Sequence, residues 1–329
     1  MRSNLGEILV ITERIKSIID EFGSNHWEEQ AKKAFTADII KRNYAFLRLA
    51  ERETGKSIDG SVVLDAGCGM GNISILMALL GARKVYGVEM DRDRLTPILS
   101  ILDEIKRLAP NLNSLEYVHA NVLEYHPQEK IDLCCCREML SHLWDRKAFY
   151  QKASSILADG GVLFASDGNN GANPKLVAYN YNLWKAAEQN DGRIYNSRLR
   201  FIQKSFPSIT DNNRLQYLAA NTCYMKPEEI QRNVEAYLAT GKLEVESPFQ
   251  PDKAPWDPDY AFFPCEDILY PEVEKVTIRE AGLSPRINPY FLGAGRHYLY
   301  PLNRLIRMVG GERTLPYARG ILIMVHKPA

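Results

Sequence analysis

Three glycines at alternate positions, Gly67, Gly69 and Gly71, stand behind an aspartate, Asp65, and a short apolar run, Val62 to Leu64. A glycine loop after a strand lets backbone approach a ligand closely, and such loops commonly seat a phosphate on the amides of the next helix. The residue types here argue for the opposite charge. A dinucleotide-binding loop places its third glycine five residues after the first, for close helix packing; counted from Gly67, that position is Asn72. A carboxylate at the mouth of the strand repels a pyrophosphate and attracts a cation. The loop therefore suits a partly positive ligand. A second carboxylate, Glu89, ends the next apolar run, at a distance from the loop that suits a ribose contact.

Positioning these groups requires strands that alternate with helices. Val62 to Asp65 reads as a strand, Asn72 to Leu80 (NISILMALL) as a helix stopped by Gly81, and Lys84 to Glu89 (KVYGVE) as a second strand. A helix over Asp93 to Leu108 and strands over Leu115 to Val118, Ile131 to Cys136 and Val162 to Ser166 follow. This pattern predicts a doubly wound α/β sheet, mostly parallel. After residue 172 the sequence turns polar and helical, then rich in proline and aromatics (SPFQPDKAPWDPDYAFFP). The sheet pattern resumes with helix Asp267 to Ala281, a stop at Gly282, strand Arg286 to Phe291, a helix around Pro301 to Val309 and strand Gly320 to His326. The expected organisation is an N-terminal helical segment over 1–55, a seven-stranded core over 56–172 and 266–329, and a largely helical insertion over 173–265 that would bind substrate. No repeat or low-complexity segment interrupts it.

Composition bounds the function. The 329 residues are 45% hydrophobic and 25% charged, enough for a substantial core. Lys plus Arg and Asp plus Glu are equal at 41, which leaves no overall basic field for nucleic acid or an anionic membrane. The N-terminal apolar stretch is broken by Glu13 and Arg14, too early for a signal peptide or a membrane span, so the cytoplasm is the expected location. Cys134, Cys135 and Cys136 are consecutive in an apolar run and read as small buried hydrophobes. Neither CxxC nor Cys/His pairs occur at ligand spacing, and no metal is expected.

The segment VVLDAGCGMGNISILMALLGARKVYGVEMD, residues 62–91, resembles the first two motifs of the class I S-adenosylmethionine-dependent methyltransferases. The resemblance implies a Rossmann-like fold and S-adenosyl-L-methionine as cofactor, with S-adenosyl-L-homocysteine as product. It implies that Asp65 holds the amino group, that Gly67, Cys68, Gly69, Gly71 and Asn72 line the methionine and ribose, and that Glu89 accepts the ribose hydroxyls beside Met90. In HANVLEY, Asn121 and Val122 stand where the family contacts adenine, an amide oxygen replacing its usual carboxylate. IDLCCCREMLSHLWD is similar to the family's fourth strand, led by Asp132, and it puts Arg137 among the cofactor residues. ILADGGVLFASDG is similar to its fifth. Trp27 and Tyr44 would cap the cofactor. The insertion lies outside the resemblance.

The implied chemistry is an in-line displacement in which the protein aligns a nucleophile and excludes water. A base is needed only for a protonated nucleophile. His142, four residues after Glu138, is the first candidate; if REMLSHL is helical the two share one face, as catalytic base and orienting partner or as a plain exposed pair. Asp167, Asn169 and Asn170 offer short hydrogen-bonding groups to a polar substrate, or ordinary turn chemistry. Tyr195 and Arg198, clustered with Arg193, Asn196 and Arg200, could bind an anionic substrate group, although a solvated helix face also explains them. GRHYLYPLNRLIRMVGG, with His297, Arg304 and Arg307, would cover the pocket, lie on a membrane surface or pack on its own core. The leading expectation is methyl transfer to a hydroxyl or amine of a small polar molecule such as a natural product, sugar or lipid-linked metabolite. GARKVYGVE and REM are also similar to protein arginine methyltransferases. Those enzymes use two glutamates after strand four, where only Glu138 stands before Trp144, and their threonine-histidine-tryptophan loop is missing. A non-catalytic scaffold that keeps the cofactor is the third reading.

Overall fold

Strands in a parallel sheet are covered by helices on both faces, so they read as continuous apolar runs. All five residues of Val62–Ala66 are buried, as are the last five of Lys84–Glu89. The structure is a computed structural model; it describes residues 3–22, 26–143, 145–168, 172–225, 227–248, 271–290, 305, 309, 311–318 and 320–328. Helices α1 (Leu5–Phe22), α2 (His26–Ala34) and α3 (Ala37–Thr54) lead into β1 (Val62–Ala66), α4 (Asn72–Leu79), β2 (Lys84–Glu89), α5 (Arg92–Leu99) and α6 (Leu102–Leu108). Next come β3 (Leu115–His119), β4 (Ile131–Arg137), α7 (Arg146–Ile156) and β5 (Leu157–Gly168). Helices α8 (Pro174–Asp191), α9 (Arg193–Ser205), α10 (Asn212–Ala220) and α11 (Pro227–Thr240) precede α12 (Pro271–Glu280), β6 (Ser284–Tyr290) and β7 (Gly320–His326).

The seven strands form one sheet in the order β3-β2-β1-β4-β5-β7-β6. Strands β1 to β5 pair in parallel, and β7 runs antiparallel to both β5 and β6. The fold is therefore the mostly parallel, doubly wound Rossmann-like sheet expected from the sequence. Strand order reverses between β1 and β4, and in open α/β sheets the crevice outside the carboxyl ends of such strands is where ligands bind. Register puts Asp65 opposite Gly87 and Cys135, so the ends of β1, β2 and β4 bring Asp65, Glu89 and Arg137 to that edge.

Two local expectations are corrected. The helix expected over residues 93–108 is two helices, with Pro97 inside the first removing an intrahelical donor and a break at Ser100 and Ile101. REMLSHL is not a helix: Glu138 has φ +52° and only Leu140–His142 form a 3-10 turn, so the shared helical face of Glu138 and His142 does not exist. The helix expected around Pro301 to Val309 lies largely outside the described residues; Leu305 and Val309 are described there, and both are helical.

The chain divides into two compact units. One comprises Met1–Leu140, Asp145–Asn169 and Pro271–Ala329; the other comprises Ser141–Trp144 and Asn170–Tyr270. The second has its own apolar core, including Ile202, Leu215, Leu218, Ile230 and Val234. In the first, α1 and α3 pack Ile8, Ile15, Ile40, Phe46 and Leu47 onto the sheet. Buried ion pairing joins α7 to α12, with Arg146 Nε donating to Glu274 Oε1 at 2.6 Å and Tyr150 Oη donating to Glu274 Oε2 at 2.6 Å.

Gly87 marks a close approach. A Cβ there would lie 2.6 Å from Tyr117 Cδ1 and 2.8 Å from Ser74 Oγ. Gly87→Ala is expected to destabilise the protein by about 1–3 kcal/mol, read as a lower urea midpoint at unchanged slope.

Candidate functional site

The loop between β1 and α4 is built by backbone geometry. Gly67, Gly69 and Gly71 have φ of +71°, +54° and +73°, the left-handed region that side chains avoid. At Gly71 a Cβ would also meet Tyr117 Oη at 2.5 Å, whereas at Gly69 it would meet no protein atom within 4 Å. Gly69 is thus the point where the loop offers bare backbone to an open space. Gly67 and Cys68 amides donate to Val88 O at 2.9 and 3.0 Å, which ties the loop to β2. Tyr117 Oη donates to Gly71 O at 2.8 Å and holds the far side from β3.

Two carboxylates meet this loop. Asp65 is buried at 2% exposure and accepts a hydrogen bond from Ser74 Oγ at 2.6 Å. Burial pushes its carboxyl up to about 7, and Glu89 adds to the rise; the Ser74 hydroxyl and the Arg137 guanidinium oppose it. Glu89 is buried at 7% and accepts from two backbone amides, Gly69 N on Oε2 at 2.9 Å and Asp91 N on Oε1 at 3.0 Å. The site is acidic, partly desolvated and open beside Gly69. That combination favours a cation with hydroxyl donors and disfavours a phosphate.

The other expected cofactor residues fall around it. Cys68 is buried in the loop, its thiol pushed well up by burial. Asn72 opens α4 and donates from Nδ2 to Ala34 O at 2.8 Å, tying the glycine loop to the end of α2. Met90 is 47% exposed, and its carbonyl lies 3.1 Å from His119 Nε2. Asn121 Oδ1 accepts from Leu123 N at 3.0 Å, so one of its lone pairs is used locally, and Val122 is buried beside it. Arg137 bonds Asn43 Oδ1 on α3, and its guanidinium sits 5.8 Å from the Phe46 ring centroid. The Arg94 guanidinium lies over the Trp27 ring, 5.9 Å from its centroid, and Tyr44 packs against the core of the sheet.

The catalytic and substrate candidates are scattered between the units. Glu138 is exposed, pairs with Arg137 at 3.4 Å and belongs to the first unit; His142 belongs to the second. Asp167 is the penultimate residue of β5 in the first unit, buried, with Oδ1 accepting from Gly168 N at 2.7 Å. Asn169 and Asn170 lie outside the described residues, as do Trp144, His297, Arg304 and Arg307. Tyr195 packs against the core of the second unit. Arg198 is not on a solvated face: it is fully buried, Nε and Nη2 both donate to Cys223 O at 3.3 Å, and burial lowers its pKa to about 10. Among the described residues no group of three or more His, Cys, Asp or Glu could hold a metal ion, and no helix is long and apolar enough to cross a membrane.

Ser74, Tyr117 and Asn43 join the site through contacts to residues distant in the sequence, which local pattern does not show. Ser74 carries one signal, a polar residue in a helix that is otherwise apolar after Asn72.

A Rossmann-like sheet with an acidic, glycine-lined switch point defines a nucleoside-binding α/β protein. Residues 34–208, more than half of the chain, match the methyltransferase domain family, and the chain belongs to that family within the class I S-adenosylmethionine-dependent superfamily. It is 29% identical over 114 residues to a mitochondrial ubiquinone biosynthesis O-methyltransferase of Dictyostelium discoideum, covering 33% of this chain and 36% of that one. It is 32% identical over 131 residues to a ubiquinone biosynthesis O-methyltransferase of Leptothrix cholodnii, covering 39% of this chain and 52% of that one. The chain thus spans about a third to about half of the length of these curated relatives. A solved S-adenosylmethionine-dependent methyltransferase from Clostridium acetobutylicum aligns over 88% of this chain and 92% of its own, at 12% identity and a TM-score of 0.46. The residues present fit the family's cofactor, S-adenosyl-L-methionine. Its ammonium and sulfonium suit the buried Asp65, its ribose hydroxyls suit Glu89, and the open backbone at Gly69 leaves room for it.

Proposed function

We propose that the protein is an S-adenosylmethionine-dependent methyltransferase acting on a hydroxyl of a small organic molecule, with an amine as the second acceptor class. The buried Asp65 beside the glycine loop, with Glu89 at the end of the neighbouring strand on the same sheet edge, carries the donor half of this reading. The names of the relatives, both O-methyltransferases, support oxygen as the acceptor atom. When bound, the cofactor supplies an already activated methyl group. Asp65 would hold its amino group, Glu89 its ribose, and Asn121 and Val122 its adenine edge, while Arg137 keeps the charge of Asp65 in balance. The protein's own work is then to orient the acceptor and exclude water.

His142 is the proposed base for a protonated acceptor, now without Glu138 as a helical partner. Tyr195 and Asp167 are proposed substrate contacts. Buried Arg198 acts as a framework residue of the second unit, so substrate binding by its guanidinium is not part of the proposal.

The test is release of S-adenosylhomocysteine over a panel of phenols, catechols, amines and arginine-containing peptides. Release with hydroxylated small molecules is the expected result. Turnover confined to the peptides would replace the acceptor class, and binding without turnover on any acceptor would make the chain a scaffold. If S-adenosylmethionine binds no better than NAD, the donor assignment is overturned.

A further inference from the structure

The hydroxyl of Ser74 is the least expected group in the site. It lies on α4 at 0% exposure and donates to Asp65 Oδ2 at 2.6 Å. Gly87 on β2 closes it in, since a Cβ there would come within 2.8 Å of Ser74 Oγ. The hydroxyl is therefore shielded from water and is hydrogen-bonded to the carboxylate. A hydrogen bond given to a carboxylate stabilises its charged form.

We infer that Ser74 is the positioning residue of the cation subsite: its buried hydroxyl fixes the Asp65 carboxylate in place and keeps it charged for a cationic ligand. This rests on the proposed role of Asp65 toward the cofactor's amino group. The groups that face Asp65 define how strongly Ser74 is needed. Glu89 at the end of β2 raises the Asp65 pKa and Arg137 at the end of β4 lowers it. Around them stand thiols and a phenol that burial keeps neutral: Cys68 in the loop, Cys134, Cys135 and Cys136 on β4, and Tyr117 on β3. Ser74 thus supplies a neutral hydrogen bond to a carboxylate that burial pushes toward protonation near neutral pH.

The sign follows. Removing the donor favours protonated Asp65, so a cationic ligand loses affinity where the carboxyl is part-protonated and keeps it where the pH alone ionises the group. Two measurements on the full chain test this. The first is the carboxyl 13C titration of Asp65 without ligand, assigned by its loss in Asp65→Asn. Ser74→Ala is expected to raise the midpoint by about one pH unit, and Ser74→Cys, a weaker donor of similar shape, by a smaller step. The second is calorimetry with S-adenosylhomocysteine, which keeps the amino group. Ser74→Ala is expected to bind about tenfold more weakly at a pH near 6.5 and within about twofold of wild type near 9. An unchanged Asp65 midpoint overturns the inference, and so does an affinity loss equal at both pH values, which would mean that Ser74 only packs. Should Ser74→Ala fail to fold, Ser74→Cys decides by the same criteria. Should wild type not bind S-adenosylhomocysteine at all, the proposed function fails while the carboxyl titration still decides what Ser74 does to Asp65.

Discussion

Asp65→Asn is expected to make the ligand-free protein more stable and a poorer binder at the same time. The unfolded carboxyl titrates near 3.8 and the folded one near about 7, with burial as the main cause. Below the lower value both states are protonated and the burial of the group carries no charge penalty. Between the two values the unfolded chain has released its proton and the folded chain has not, so stability falls as pH rises; above about 7 the loss is complete and constant. A shift of this size corresponds to up to about 4 kcal/mol at 1.36 kcal/mol per pH unit. Asparagine resembles the protonated acid and removes the loss. Wild type and Asp65→Asn should therefore have similar urea midpoints near pH 4 and diverge toward pH 8, the variant being more stable. Calorimetry should show the reverse ranking for ligand, with S-adenosylhomocysteine bound about ten- to a hundredfold more weakly by the variant near pH 8, the worth of one charge-assisted hydrogen bond. Parallel stability curves for the two proteins would show that Asp65 ionises normally in the fold, and equal affinities would remove it from the site.

The split between what could be read in advance and what could not has a physical pattern. Strands β1, β2, β4 and β7 are apolar runs ended by glycine or charge, and burial on both faces makes such runs visible without knowing their neighbours. The placement of Asp65 and Glu89 is legible for the same reason, because each stands at or near the carboxyl end of a buried apolar strand and both strands end at one sheet edge. The direction of a strand leaves no trace in its composition, so the antiparallel pairing of β7 emerges only from its partners, β5 and β6. Side-chain networks are the least visible layer. Ser74 reaches Asp65 across 9 positions, Tyr117 reaches Gly71 across 46, and Arg137 reaches Asn43 across 94. Arg198 misled in the same way: a cluster of basic and polar residues at 193–200 reads as solvated, but this guanidinium is enclosed and bonded to a backbone carbonyl. The left-handed backbone of Glu138, rare outside glycine and asparagine, broke a helix that spacing alone supports.

Glu89→Ala should have the larger effect on binding, because Glu89 serves the loop and the ligand together. One carboxylate oxygen accepts the Gly69 amide and the other the Asp91 amide, so alanine removes the acceptors of two backbone donors, one in the glycine loop and one after β2. Each such bond to a charged group is worth about 1.5–3 kcal/mol, and losing both also frees the glycine loop at the residue where it is most open. The contacts proposed to the ribose hydroxyls vanish with the same side chain. A loss of at least about a hundredfold in S-adenosylhomocysteine affinity is expected, against about tenfold for Glu89→Gln, which keeps one carbonyl acceptor and the length of the side chain. Urea midpoints measured beside the calorimetry separate the two roles: a variant that loses affinity with little loss of stability has lost ligand contacts, whereas matched losses mean that the loop itself has opened. Wild-type affinity in Glu89→Ala would end the ribose assignment, and it would leave Asp65 with Ser74 as the whole of the acidic site.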